Sequence, residues 1–209
     1  MIRRTSWIVS TLAVIAVGTL GGLALTHGNR VRSSSVSAPS PIKQTATKVS
    51  TQPPLDNGPF QPANPKTVTE LTSATVEDSN GRAAPIATDK PTIFFAYWCG
   101  HCHEAIMQLE SLGYANKFEY VSSLLEYEQG NTNLNIKRAV QLTGASFIKM
   151  GIKEPANVLY AMPGTQADKA LSHQLVPFLL VHTSHGWYSM TGVPADESVW
   201  LEVLKYNAS

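Results

Sequence analysis

The sequence predicts an α/β fold, and three observations support this. Residues 91–98 (PTIFFAYW) and 175–182 (LVPFLLVH) are compact apolar runs of strand length, the pattern of strands buried on both faces. The segment between them changes to a period of three to four residues, with apolar positions at Ile106, Leu109 and Leu112 and again at Ile136, Ala139 and Val140, the spacing of an amphipathic helix. The chain closes on a return strand and a last apolar-faced helix. The expected order is strand, helix, strand, helical insertion, strand containing a proline, strand, helix.

Each element has its own signal. Residues 67–77 (TVTELTSATVE) are rich in β-branched side chains and are followed by Asn80-Gly81, so they are expected to form a strand ending in a turn. The run at 91–98 leads directly into Cys99. From Cys102 the helical spacing begins, and Gly113 is placed to stop it. Residues 118–122 (FEYVS) form a second expected strand, and residues 133–144 a short helix. Residues 145–161 show no single period and are read as partly helical. After the proline-containing run, Ser184-His-Gly186 makes a turn and residues 187–190 return as a strand. Gly192 breaks that strand, and residues 195–206 form a helix burying Val199, Trp200 and Val203.

Upstream of these elements the composition is different. Of 209 residues, the first 66 carry seven Lys/Arg and one acid (Asp56), a charge of +6, whereas the rest carries −5. A mildly acidic domain lacks the clustered basic face that nucleic-acid binding needs, so no nucleic-acid partner is expected. Arg3 and Arg4 precede an uncharged run at residues 7–25 (WIVSTLAVIAVGTLGGLAL), 19 residues long. A membrane-crossing helix needs ~20 apolar residues, and basic residues on the N-terminal side keep that end in the cytoplasm. Residues 1–27 are therefore expected to be a membrane anchor or signal. Residues 28–66, rich in Ser, Thr, Pro and Gln, are expected to be a disordered linker. The folded domain is expected at residues 67–209, on the extracytoplasmic side.

The only two cysteines lie in Trp98-Cys-Gly-His-Cys-His103. A Cys-x-x-Cys can be a redox dithiol or half of a zinc site, and with His103 it also matches the attachment spacing for c-type haem. A structural zinc site lacks a second cysteine pair to close it. Haem attachment or copper delivery through Cys99, Cys102 and His103 stands as the alternative reading. A purely structural bridge between residues this close would constrain almost no loop.

With these residues in view, the chain from about residue 67 onward resembles the thioredoxin-like superfamily, particularly its membrane-tethered extracytoplasmic thiol–disulfide oxidoreductases. The resemblance rests on the strand running into Trp98-Cys-Gly-His-Cys102, the helix starting there, Val176-Pro177 at a later buried strand, and the terminal hairpin, Gly192 and helix. It implies a thioredoxin-like fold with a helical insertion, since the stretch from Cys102 to Pro177 is longer than in small thioredoxins. It also implies a Cys99–Cys102 disulfide in the oxidised form, with Cys99 attacking first and the more buried Cys102 resolving. It further implies a cis bond before Pro177, where the Val176 backbone pairs with an extended substrate, and a substrate-facing Trp98. A helix N-terminus carries unpaired N–H groups and a positive dipole end, which favours a thiolate at Cys99.

His101 is expected to tune the pair. A histidine between the cysteines can offer a hydrogen bond or a positive charge to the Cys99 thiolate, and stabilising the reduced form makes the disulfide a stronger oxidant. Cys-Gly-His-Cys is also the dipeptide choice of protein disulfide isomerases, so the oxidising or isomerising direction is slightly favoured. One departure counts against a fast reductase. The buried acid that relatives carry six residues before the first cysteine is Ile93 here, so either water or a group such as Glu104 or His103 takes its role, or proton transfer from Cys102 is slow. The expected partners are extracytoplasmic thiol or disulfide proteins and a membrane redox protein that resets the pair. No cofactor and no metal is required.

Overall fold

The structure, a computed structural model, describes residues 58–125 and 134–207. They belong to one compact unit, residues 48–209, and the other unit, residues 1–47, lies wholly outside the described residues. The expected anchor and most of the expected linker therefore lie outside them. Among the described residues no helix is long and apolar enough to cross a membrane.

The elements run β1 (Gln61–Pro62), α1 (Pro65–Thr72), β2 (Thr75–Glu77), β3 (Ala83–Pro85), β4 (Thr92–Phe95), α2 (Gly100–Ser111), a 3₁₀ turn (Ala115–Lys117), β5 (Glu119–Ser122), α3 (Ile136–Met150), β6 (Val158–Tyr160), α4 (Gln166–Leu171), β7 (Phe178–Thr183), β8 (Gly186–Thr191) and α5 (Ser198–Tyr206). Among the described residues, eight strands form one sheet in the order β1-β8-β7-β4-β5-β6-β2-β3. The central strands β4, β5 and β6 are parallel, and β7 and β8 continue the sheet antiparallel from β4. This puts the end of β4, where the cysteines begin, in the middle of the sheet.

Strand alternation divides the core between the two faces of the sheet. Ile93, Phe95, Tyr120, Leu179 and Val181 join one cluster with residues of α2, α3 and α5, among them Ile106, Phe147 and Trp200. Phe94, Val121, Phe178 and Leu180 join the other, with Val68 and Leu71 of α1 and Leu171 of α4. The continuous apolar runs in the sequence reflect this covering on both sides. The helix from the cysteines stops as expected. Gly113 adopts φ +73°, its N–H bonds Glu110 O (3.0 Å), and the Tyr114 N–H bonds Leu109 O (2.8 Å), a Schellman ending.

Four expectations are corrected. Residues 67–77 are not one strand: α1 occupies their first half and only β2 remains extended. The Asn64 side chain caps α1 by accepting from the Lys66 N–H (2.9 Å), and Pro65 sits in the first turn, signals that outweigh the β-branched content. The folded region also begins upstream of the expected boundary at 67, because β1 pairs with β8 and Phe60 is 4 % exposed. The ordered part of the expected linker therefore includes residues 58–66. The helix expected at 133–144 runs from Ile136 to Met150, where Gly151 at φ +72° ends it; residues 145–161 are thus helical at their start, but their end forms β6. Finally, Pro177 does not interrupt a strand but stands immediately before β7. A proline there removes no donor from the ladder.

Candidate active site

Strand β4 delivers the chain to the site. After Phe95 the backbone turns through Ala96, Tyr97 and Trp98, and Cys99 becomes the N-cap residue of α2 with φ −84° and ψ 118°. Its side chain makes no capping bond to the helix, so the sulfur is left to other partners. The half-buried Cys99 Sγ–H donates to Val176 O at 3.7 Å. Cys102, one turn in, is 0 % exposed, and its Sγ accepts the Ala96 N–H at 3.4 Å. Both cysteines are free thiols. Burial pushes the Cys102 thiol well above the ordinary range. The neighbouring Cys99 adds to that, and only the Ala96 N–H pulls against it.

The Val176–Pro177 bond is cis, as the resemblance implied, and Pro177 O accepts the Gly192 N–H at 2.9 Å. Gly192, read from sequence only as a strand break, thus ties the proline loop to the end of β8. Beside Cys99 lies a groove of ≈ 450 Å³ walled by Trp98, Leu124, Asp168, Leu175 and Val176. The Trp98 Nε1–H donates to Leu124 O at 3.1 Å, and Leu124 holds φ +51°, a left-handed backbone uncommon for a residue with a branched side chain. Ser123 sets the approach, since its N–H bonds Phe95 O at 2.8 Å and carries the end of β5 alongside the end of β4.

The residues expected from sequence are mostly assembled here. Trp98, Cys99 and Val176 line the groove, with Pro177 buried behind Val176 and Cys102 behind Cys99. His101 lies apart from the groove. Its side chain is 80 % exposed with Nδ1 3.6 Å from Glu104 Oε2, on a separate depression shared with Gln108 and Pro194. Glu104 is itself exposed and turned toward His101. His103 Nε2 pairs with Tyr97 O at 2.6 Å. A carbonyl only accepts, so Nε2 carries a proton and donates it to Tyr97 O. Ile93 is fully buried in register with Tyr120, so the position of the missing acid is sealed in the apolar core.

Leu124, Asp168 and Leu175 were not singled out from sequence. Leu124 and Leu175 carry no local signal, because they reach Cys99 only through sheet pairing and the proline loop. Asp168 has one, as the fourth residue of Thr165-x-x-Asp168. Asp168 Oδ2 accepts the Gly164 N–H at 2.9 Å, and Thr165 Oγ1 accepts the Asp168 N–H at 3.3 Å, a reciprocal cap at the start of α4. Among the described residues no group of three or more His, Cys, Asp or Glu side chains is placed to hold a metal ion. The haem and copper alternative needs Cys99, Cys102 and His103 presented to one ligand. Here Cys102 faces the core and the His103 ring is tied to Tyr97.

No protein-family model and no curated protein matches the chain. Solved structures do. The chain is similar to a thio-disulfide isomerase from Thermus thermophilus at 14 % identity and TM-score 0.44, over 71 % of this chain and 99 % of that one. It is similar to a putative thiol:disulfide interchange protein DsbE from Chlorobium tepidum at 16 % identity and TM-score 0.42, over 63 % and 89 %. It is also similar to a secreted Mycobacterium tuberculosis disulfide oxidoreductase described as homologous to E. coli DsbE, at 14 % identity and TM-score 0.41, over 66 % and 97 %. By its own topology, with parallel β4 and β5 around α2, a Cys-x-x-Cys opening that helix, and a cis-proline facing it before β7, the described domain has a thioredoxin-like fold.

Proposed function

We propose that the protein is a thiol–disulfide oxidoreductase that exchanges disulfides with extracytoplasmic proteins through Cys99 and Cys102. One observation carries the reading: a half-exposed sulfur at a helix N-terminus touches the Val176 carbonyl, with a second, fully buried sulfur one turn behind it. Dithiol chemistry needs this asymmetry, because one sulfur must meet a protein substrate and the other must be shielded from it. When the domain is reduced, the Cys99 thiolate attacks a client disulfide and forms a Cys99–client bond. One client sulfur departs as thiolate and takes up a proton. Cys102 then loses its proton and attacks Cys99 Sγ, and the second client sulfur leaves. Two electrons pass to the client. In the opposite direction a client thiolate attacks Cys99 of the disulfide, a second client thiolate displaces Cys99, and the domain is left as the dithiol.

The roles follow from position. Cys99 is the nucleophile and Cys102 the resolving sulfur. The Val176 backbone and the Trp98 wall hold the client strand beside them, and Pro177 fixes the loop that presents Val176. The Cys-Gly-His-Cys sequence favours the oxidising or isomerising direction only slightly, because His101 is exposed and faces Glu104. An anchor at residues 7–25 would hold the domain at the outer face of a membrane, where a membrane redox protein resets the cysteine pair. The full chain in detergent, equilibrated with glutathione buffers and assayed on reduced and on scrambled ribonuclease, tests this. A potential near −120 mV supports oxidation, and one near −270 mV supports reduction (both approximate reference values). Absence of exchange that depends on Cys99 overturns the reading.

A further inference from the structure

The groove beside Cys99 carries more than thiol exchange requires. A sulfur attacking a disulfide needs only an open approach, yet this groove of ≈ 450 Å³ joins apolar walls to a buried acid. Trp98, Leu124, Leu175 and Val176 supply the apolar surface. The Trp98 Nε1–H bond to Leu124 O fixes one wall, and Leu175 stays 78 % exposed. Asp168 is only 6 % exposed. Its Oδ2 accepts the Gly164 N–H at 2.9 Å, whereas Oδ1 has no hydrogen-bond partner among the described residues and is not sealed from solvent. Among the described residues no salt bridge reaches Asp168, and no Lys, Arg or His lines the groove. Capping α4 needs only an oxygen, which an asparagine also offers. A buried acid with one oxygen left over is costly unless something pairs it.

Building on the reading of Cys99 as the attacking sulfur, we infer that this groove selects clients by a lysine or arginine within two residues of the reacting cysteine. The stem of that side chain lies against Trp98, Leu124 and Leu175, and its head donates to Asp168 Oδ1. Lysine and arginine carry an aliphatic stem under a charged head, which matches both surfaces of the groove. Their heads bring donors and no acceptor, so they complete the carboxyl oxygen with a charge-assisted bond. A neutral apolar side chain would fill the walls but cover Oδ1 and leave it unpaired. An acidic one would set a second negative charge beside the first. Discrimination therefore comes as much from the penalty on wrong clients as from the gain on right ones. Cys99 itself lines the groove, so the side chain held there belongs to the client segment whose sulfur is reacting.

The test is a competition on the full chain in detergent carrying Cys102→Ser, so that Cys99 is the only thiol. The probes are single-cysteine peptides whose cysteine is joined to thionitrobenzoate. Each has lysine, norleucine or 2,4-diaminobutyric acid at one of the positions flanking the cysteine. Cys99 displaces thionitrobenzoate as its thiolate, one disulfide forming as the other breaks, and acid stops the reaction early. Intact-mass spectrometry then counts the Cys99–peptide adducts. At one or more positions lysine should be captured about tenfold or more over norleucine, the scale of one hydrogen bond to a charged group. Diaminobutyric acid has the same charge on a shorter stem and should lose most of that advantage. Asp168→Asn keeps an oxygen for the Gly164 N–H and should reduce the lysine preference to about threefold or less. Equal capture of lysine and norleucine at every position, equal favour for the shorter stem, or a preference that survives Asp168→Asn would each overturn the inference and leave exchange through Cys99 standing. Absence of any Cys99–peptide adduct would instead overturn the exchange reading, and this selectivity with it. Should Asp168→Asn fail to fold, the comparison of long and short stems decides.

Discussion

Replacing Cys99 with serine leaves Cys102 as the only thiol in the chain and isolates the property on which the proposed division of labour depends. The remaining sulfur is 0 % exposed and accepts a hydrogen bond from the Ala96 N–H. Alkylation requires the first turn of α2 to open, and if that opening costs ~3 kcal/mol, within the range for sub-global events, only about one molecule in 150 is accessible. In the closed state burial also keeps the Cys102 thiol protonated, so reaction without opening is negligible. Iodoacetamide should therefore modify Cys99→Ser on the order of 100-fold more slowly when folded than in urea. The complementary Cys102→Ser chain, with its half-exposed Cys99, should react within about tenfold of its unfolded rate or faster. Intact-mass spectrometry over time reads both. If folded Cys99→Ser is alkylated within about tenfold of its unfolded rate, Cys102 is not shielded and the assignment of attacking and resolving sulfurs fails.

Glu119 offers a pH test with a definite sign. Burial raises its carboxyl, outweighing the N–H bond from Ala87 at 2.8 Å. Between the unfolded value of ~4.3 and the higher folded value the native state holds more protons, so stability is greatest below that window and falls as pH rises through it. Urea midpoints of Glu119→Gln, compared with the parent from pH ~4 to ~7, should lose this decline; parallel curves would refute the sign. Trp200 is 1 % exposed, donates from Nε1 to Gln108 Oε1 at 2.9 Å and meets Phe118 edge-on at 5.8 Å. Trp200→Ala should cost about 3–5 kcal/mol in chemical denaturation, and a loss below ~1 kcal/mol would mean that α5 is not docked as described. His101 is exposed and faces Glu104, so solvent and the carboxylate screen it. His101→Pro should lower the Cys99–Cys102 potential by no more than ~30 mV in glutathione titration, and a larger drop would give His101 a direct hold on the thiolate.

Much of this protein is determined locally and could be read in the sequence. The buried strand ending at Phe95, the cysteine-bearing helix closed by Gly113, and the last helix with Val199, Trp200 and Val203 inward each follow from spacing and stop signals within a few residues. The same spacing put Cys102 on the inner side of the first turn. Where propensity and capping disagreed, reading by propensity failed. Residues 67–72 are rich in β-branched side chains, but Asn64 and Pro65 start a helix that the sheet can bury through Val68 and Leu71. Strand β6 is only three residues long and exists because β5 and β2 offer it edges to pair with, which no local window contains. The groove beside Cys99 is of the same kind. Leu124, Asp168 and Val176 come from the loop after β5, from α4 and from the loop before β7, and only the parallel register of β4 and β5 and the return of β7 bring them within reach of one sulfur. Short-range chemistry chose the reacting atoms. Long-range pairing, which depends on residues far apart along the chain, chose what surrounds them.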